Sequence, residues 1–549
     1  MGAFADGFVL GMPRRMSLLA GTGLASLFAA GLTVVSRPAS AQLPTGGQVT
    51  AGSASISQSG NRMDITQSSS RAAIDWTGFS IGGNNAVHFQ QPNSSAVALN
   101  RVNGRDPSVI AGQLTANGRL ILINPNGVAF TPTARVDTAG LVASTIGISN
   151  GDFMAGRMNF DQPGRPGASV VNEGEITVRE GGLAALVAPE VRNSGTIRAR
   201  LGKVALAGAE SFVLDPRGDG LISFEVSREG PARQTRAENT GRIEAQGGQV
   251  TIGAASARGI VAGVVNIEGQ VIATSVGTSN GVVSFGSGEN GTTTVAGSVD
   301  VRGTQAGERG GRVTVTGDRV RVASTARIDA SGAAGGGEVK IGGDLQGRGT
   351  TPRARATDVE RGAVIRADAT GTGDGGSVIV WSDEYTRFMG TISAVGGPQG
   401  GNGGFAEVSG KLWLGFDGTV DLRAPFGRTG TLLLDPTDIT ISAAANNDIT
   451  TTSPFQFVDN TAPPSTNGTS NLNVTTLQTA LAGGNVVVST AAGTGAPSGG
   501  TITVSDAVTW TSGNSLSLQS TTGIAINAAV TSTADGTPGG VLNGALSLS

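Results

Sequence analysis

The groups able to do covalent or metal chemistry are few, and their spacing decides against most reactions they could support. His88 is the only histidine and cysteine is absent, so Zn²⁺ would lack its ordinary imidazole and thiolate ligands. In Val87-His88-Phe89 a strand would turn the imidazole away from its apolar neighbours, and no nucleophile elbow for a Ser-His-Asp relay lies near it. Asp383, Glu384 and Asp435 are the carboxylates a glycosidase or lyase could use as acid and base. Asp383 and Glu384 are adjacent, however, and would face opposite sides of a strand, so solvated positions are expected for all three. Gly286-x-Gly288-x-x-Gly291 and Gly371-x-Gly373-x-x-Gly376 match a dinucleotide fingerprint, but neither opens a helix and 88 glycines make chance matches common; both read as turns. Arg217-Gly218-Asp219 is an adhesion tripeptide inside a turn-like stretch. No cofactor and no metal site is read from these residues.

The elements that would position these groups are short strands. After residue 170 the pattern Asn-x-Gly-x-Ile recurs at Asn172-Gly174-Ile176, Asn193-Gly195-Ile197 and Asn239-Gly241-Ile243, with a variant at Asn266-Ile267-Glu268-Gly269-Gln270-Val271. Gly-Gly doublets at Gly247-Gly248, Gly310-Gly311, Gly336-Gly337, Gly375-Gly376 and Gly403-Gly404 lead into alternating β-formers. Self-similarity at such intervals marks a solenoid. Strand alternation places Val250, Ile252, Val313, Val315, Val339, Ile341, Val378 and Val380 in a narrow interior, with residues such as Thr251 and Lys340 facing water. Asn and Gly serve as corners, since both tolerate positive φ. The expected fold is all-β, a right-handed parallel β-helix with an N-terminal cap. From Ala443 to Gly483, Asn446-Asn447, Pro454, Pro463-Pro464 and Asn467-Gly468 predict a loop-rich junction with a short helix around Leu477–Leu481. Alternation resumes after Asn485, and the strand-like final Leu546-Ser547-Leu548-Ser549 carries no polar cap, as expected of a longer protein cut short or an end that pairs.

Composition agrees with stacked thin layers. Glycine is abundant, aromatics are 4% and charged residues 14%, which suits narrow coils better than a wide globular core. A net charge of −3 with scattered Lys and Arg leaves no footprint for a nucleic acid. A chain without thiols is suited to crossing an oxidising periplasm unfolded. Arg14 and Arg15 precede an apolar run from Leu18 to Val35, and Ala39-Ser40-Ala41 supplies a small-x-small pattern before Gln42. Residues 1–41 therefore read as a signal peptide cleaved between Ala41 and Gln42. Gly21, Gly23 and Gly31 interrupt the run, which argues against a retained anchor, while the Arg pair leaves a twin-arginine route open. No other stretch is long and apolar enough to be a stable membrane span.

Asn124-Pro125-Asn126-Gly127 is a strong turn, with Pro fixing φ and Asn-Gly taking the last two positions. On sequence grounds Asn124→Ala removes one bond to the turn backbone, worth about 1 kcal/mol. Around this turn stand Ala96-Val97-Ala98-Leu99-Asn100-Arg101-Val102, Pro107-Ser108-Val109-Ile110, Ile123, Val128, Phe130 and Gly140-Leu141-Val142-Ala143-Ser144-Thr145. In this order, from Gln42 to about Ile148, they resemble the secretion domain of filamentous haemagglutinin-type exoproteins of two-partner secretion systems. Val380-Trp381-Ser382-Asp383, Gly403-Gly404-Phe405-Ala406-Glu407-Val408-Ser409-Gly410 and Thr431-Leu432-Leu433-Leu434-Asp435-Pro436 resemble the shaft of long members. The family's upstream Asn-Pro-Asn motif is represented only by Gln91-Pro92-Asn93-Ser94.

The resemblance implies export through an outer-membrane pore partner with periplasmic POTRA domains, with Asn124, Pro125, Asn126 and Gly127 as the secretion motif. It implies a secreted or surface-held structural exoprotein, adhesin or biofilm-like and not an enzyme, whose surface ligand or host or matrix glycan is unspecified. A β-helical polysaccharide-active enzyme is the alternative. The expected division is 1–41 signal peptide, 42–300 secretion domain, 301–442 shaft repeats, 443–484 junction and 485–549 further β-repeats.

Overall fold

The computed structural model describes residues 42–214, 222–223, 234–254, 263–446, 470–490, 500–533 and 544–549. Residues 1–41, expected to be a signal peptide ending at Ala41, and Arg217-Gly218-Asp219 lie outside them. Gln42, the first described residue, is exposed and its carbonyl accepts from the Gly82 N–H at 2.8 Å.

One coil consists of three strands, Ser169–Asn172, Glu175–Val178 and Leu183–Ala188. The next repeats them as Glu190–Asn193, Thr196–Arg198 and Lys203–Gly208. Each strand pairs in parallel with its successor, so that Val170 stands opposite Val191, Ile176 opposite Ile197 and Leu186 opposite Leu206. Stacking this coil yields three sheets of 11, 14 and 17 strands, here the first, second and third sheets in coil order. Parallel strands joined by crossovers wind right-handed. The fold is the right-handed parallel β-helix.

Alternation fills its interior. Val204, Val250, Val283, Val313, Val339 and Val378 follow one another in register, and two residues on run Leu206, Ile252, Phe285, Val315, Ile341 and Val380. All are buried, including the eight residues expected inside, and each Val or Ile contributes about 1.5–3 kcal/mol by removal from water. The Gly-Gly doublets stand where two chain segments cross. A Cβ at Gly310, Gly336, Gly375 or Gly403 would land on the carbonyl oxygen of Ala330, Ala367, Ala394 or Leu422.

The asparagine repeat is a buried ladder. Asn172 Nδ2 donates to Asn193 Oδ1 and Asn193 Nδ2 to Asn239 Oδ1, both at 2.7 Å. The fourth repeat is shifted by one residue from the sequence reading: Ile267 pairs with Asn239, and Asn266 sits on the half-buried outer side. An apolar side chain thus ends the ladder.

Two features position the candidate site. The first coil is closed by strands that reverse direction, Gln48–Ala51 against Arg71–Trp76 and Ala54–Ser59 against Arg62–Gln67, both antiparallel, which covers the open strand edges an end coil would present. The second departs from the expectation that alternate residues face water. From Arg71 to Gly208 the outer face of the third sheet is buried too, through Leu99, Ile121, Ile123, Val142, Ala185, Val187, Ala205 and Ala207. Its cover is the helix Asn150–Ala155 and the antiparallel pair Asn159–Phe160 and Phe212–Leu214, whose Phe160 and Phe212 rings stack at 4.2 Å.

In the segment after Ala443, residues 447–469 are outside the description. Ser470–Asn473 is a strand, and Asn473 accepts from the Thr475 and Thr476 N–H groups to cap the helix Val474–Gly483. Leu477, Ala480 and Leu481 of that helix enter the common core, and among the described residues no helix is long and apolar enough to cross a membrane.

Candidate secretion site

Asn124 follows the third-sheet strand Arg119–Ile123 at the corner leading to Val128–Phe130. Its side chain is fully buried. Nδ2 donates to the Asp106 carbonyl and to Ser108 Oγ, each at 3.0 Å, and Oδ1 accepts from Asn126 N at 2.9 Å and Asn126 Nδ2 at 2.8 Å. The backbone closes the same corner: Gly127 N–H donates to the Asn124 carbonyl, and Asn124 N–H to the Ser144 carbonyl, both at 3.0 Å. Asn126 Nδ2 reaches the Gly104 carbonyl at 3.0 Å, and the Pro125 carbonyl accepts from Arg165 N–H at 2.8 Å. Gly127 takes φ +122, with room for a Cβ only 3.2 Å from the Ser169 carbonyl. Asp106 and Ser108 belong to the preceding coil, Ser144 and Arg165 to the next. The motif is a clasp joining three successive coils, with Pro125 and Asn126 half-exposed and Asn124 and Gly127 buried.

This changes the energetic expectation. Asn124→Ala would leave the buried Ser108 hydroxyl without its partner and release the Asp106 carbonyl and the Asn126 N–H, so the loss is about 2–3 kcal/mol rather than about 1. The upstream counterpart is built alike from a different residue. Gln91 is buried, and its Nε2 donates to Gln67 Oε1 and the Ala96 carbonyl at 3.1 Å and to the Arg119 carbonyl at 3.3 Å. A longer amide there ties the preceding coil to the following one.

The other candidates separate. His88 faces outward between Asp64 and Thr115 in register on neighbouring strands, and its Nδ1 shares a 2.8 Å bond with Thr115 Oγ1. The Asp64 carboxylate is instead gripped by the Arg62 guanidinium, which holds it below the usual carboxylate range. Asp383 pairs with Arg353 at 3.2 Å, and burial raises Glu384. Asp435, expected in solvent, is fully buried. The turn of residues 344–347 folds over it, and Gln346 Nε2 donates to Asp435 Oδ2 at 2.9 Å. Beneath the same turn lies Glu407, also fully buried, accepting from Gln346 N–H at 3.0 and 3.1 Å. Burial pushes its carboxyl up to about 7. Strand alternation alone would have left Glu407 in water; the long connection from Ile341 to Ala356 is the only sequence signal of a cover. Two buried carboxylates side by side could serve an acid–base site, but both are closed off under Gln346.

Known proteins place these features. The TPS secretion domain family matches residues 40–301. The crystal structure of the HMW1 secretion domain from Haemophilus influenzae is similar over 70% of this chain and 100% of its own, with TM-score 0.61 and 31% identity. A heme/hemopexin-binding protein of Haemophilus influenzae strain Rd is 38% identical over 221 residues, and another from that species is 52% identical over 85 residues. The matches span 39% and 16% of this chain, but only 24% and 9% of those relatives' lengths. A parallel β-helix, closed at its first coil and sheathed over its amino-terminal coils, is the class these observations define. The chain belongs to the exoproteins of two-partner secretion systems, which pass the outer membrane through a dedicated partner and reach the cell surface.

Proposed function

We propose that the chain is a structural, adhesin or biofilm-like exoprotein of the filamentous haemagglutinin kind, delivered by an outer-membrane pore whose POTRA domains engage Asn124-Pro125-Asn126-Gly127. The leader 1–41 is removed between Ala41 and Gln42, residues 42–300 act as the secretion domain, 301–442 as shaft, 443–484 as a junction and 485–549 as further repeats. The observation that carries this reading is the complete burial of Asn124 in the folded clasp. Before folding, the motif is open to the pore partner; once three coils close around it, Asn124 has no surface left to offer. Folding outside the cell thereby withdraws Asn124 from the receptor and opposes back-sliding, and added coils extend the effect without periplasmic ATP.

The test compares Asn124→Ala with Val315→Ala, a core truncation in the shaft expected to cost a similar 2–3 kcal/mol or so. In cells carrying the pore partner, Asn124→Ala is expected to accumulate in the periplasm while Val315→Ala is secreted. Equal secretion of the two would reduce Asn124 to a structural corner.

The likeness to heme/hemopexin-binding proteins supports a second reading for the exposed ligand. With one histidine and no cysteine, this chain is poorly furnished to hold haem iron, so recognition of a haem-carrying protein is the form that fits. Titration with hemopexin tests it; absence of binding by the secreted chain removes this reading and leaves the export reading intact.

A further inference from the structure

The turn of residues 344–347 covers a buried group of oxygen donors on the shaft. Glu407 and Ser409 stand two residues apart on the strand Phe405–Gly410 and so share its outer face. In the next coil Leu434 pairs with Val408, which brings Asp435 level with Ser409. Glu407, Ser409 and Asp435 are all fully buried. Gln346 is held at φ +51 over them, its N–H meeting Glu407 and its side-chain amide meeting Asp435. The same turn presses on Trp381, whose ring a Cβ at Gly343 or Gly347 would strike.

Positive charge is what this group lacks. No Lys or Arg among the described residues pairs with Glu407, and the charges bearing on it, Asp435 and Asp344, are of its own sign. Lys340, on the other side of Asp344, is taken by Glu338 and Asp344 at 2.9 and 3.0 Å. Ser409 points to a ligand independently. Its Oγ lies beside Glu407 yet completes no well-formed hydrogen bond, although a buried hydroxyl ordinarily finds a partner. Asp435 has further interactions of its own, but a carboxylate offers about four lone-pair positions, so it can be shared.

We propose that Glu407, Asp435 and Ser409 Oγ, together with the Gln346 side-chain amide, bind one Ca²⁺ ion. The donors are all oxygen once the Gln346 amide turns over to present Oε1 in place of Nε2. That set suits a hard cation of flexible coordination and offers nothing to a metal that prefers nitrogen or sulfur. Mg²⁺ demands a near-ideal octahedron and keeps its waters, which suits a sealed site less. Among the described residues no three acidic side chains converge on one point, so affinity is modest, with Kd on the order of 0.1–1 mM. The ion pins the turn to the shaft. The site is independent of the export reading, because it uses none of the clasp residues.

The experiment strips the purified mature chain with EDTA and titrates it with CaCl₂, and separately with MgCl₂ and KCl. Calorimetry, thermal melting and hydrogen exchange of residues 343–347 are followed together. The expected result is one saturable Ca²⁺ site per chain, a raised melting temperature, and exchange at the turn slowed by about tenfold at ten times Kd, with Mg²⁺ weaker by about tenfold or more and K⁺ without effect. Glu407→Gln, neutral and of nearly the same shape, should keep the fold and abolish the response, and Ser409→Ala should weaken binding by about three- to tenfold. Asp300→Asn, at a surface pair with Arg302, should leave it unchanged. No Ca²⁺ response by the wild-type chain, an equal response to Mg²⁺ or K⁺, or a response that survives Glu407→Gln would overturn the proposal.

Discussion

The third sheet changes character between Ala205 and Thr314 without changing register. Ala185, Ala205, Thr251, Ser284, Thr314 and Lys340 occupy one column of successive coils. Ala185 and Ala205 are buried under the sheath, whereas Thr251, Ser284, Thr314 and Lys340 are half-buried at the surface. Inward positions are apolar throughout because every coil closes the same core. Outward positions answer only to whatever covers them. The amino-terminal coils therefore behave as a two-layered domain, and the shaft as a one-layered repeat in which neighbouring coils also exchange surface ion pairs such as Arg312 with Glu338 at 2.6 Å.

The strongest way to break this comparison is to place the same charge at two points of that column. Ala205→Asp buries an unpaired carboxylate and should cost about 3–5 kcal/mol, whereas Thr314→Asp should stay within about 0.5 kcal/mol. Thermal melting of the two variants reads the difference directly, and similar losses would deny that the sheath closes the outer face.

The shaft has one covered patch of its own, and pH tests it. Burial lifts Glu407 from an ordinary 4.5 to about 7, so the folded chain binds its proton before the unfolded chain does as pH falls. The penalty on the buried anion is full above pH 7, shrinks as pH drops through 7, and is gone below about 4.5. Stability should thus be higher at pH 5 than at pH 8 by on the order of 1–3 kcal/mol from this group. Glu407→Gln should flatten that part of the profile; an unchanged profile would mean that the turn at 344–347 does not seal the carboxyl.

A smaller effect sharpens the contrast within the first sheet. Asn193→Ala leaves the Asn172 and Asn239 amides without their shared partner and should cost about 2 kcal/mol. Thr293→Val, which replaces a fully buried hydroxyl bonded to the Thr316 carbonyl with a methyl group of the same shape, should cost about 1 kcal/mol. Denaturant midpoints at constant slope measure both.

Most of the inner architecture was legible because strand alternation is a local signal: Val250, Ile252, Val313 and Val315 need no knowledge of distant residues to be placed inside. The sheath was legible only in part. Leu120-Ile121-Leu122-Ile123 and Leu183-Ala184-Ala185-Leu186-Val187-Ala188 are unbroken apolar runs, the mark of strands buried on both faces, yet nothing local says what covers them. The Asn266 shift arose because a one-residue slip preserves the Asn and Gly composition while moving each side chain to the other face. The turn at Asn124 was evident from its residues, but its burial depends on Asp106, Ser108, Ser144 and Arg165 arriving from neighbouring coils. Asp435 was misplaced, and Glu407 gave no sign of its burial, for the same reason, since their cover comes from about sixty to ninety positions away.

If closure of the clasp is what commits the chain to export, the clasped, two-layered coils form first and the shaft grows from them. Pulse-labelled hydrogen exchange during refolding of the mature chain tests it most directly. The account predicts that amides of Ile121–Ile123 and Leu141–Ala143 gain protection before those of Val313–Val315, and that Asn124→Ala delays all of them. Protection of the Val313–Val315 amides first, or at an unchanged rate in Asn124→Ala, would contradict it.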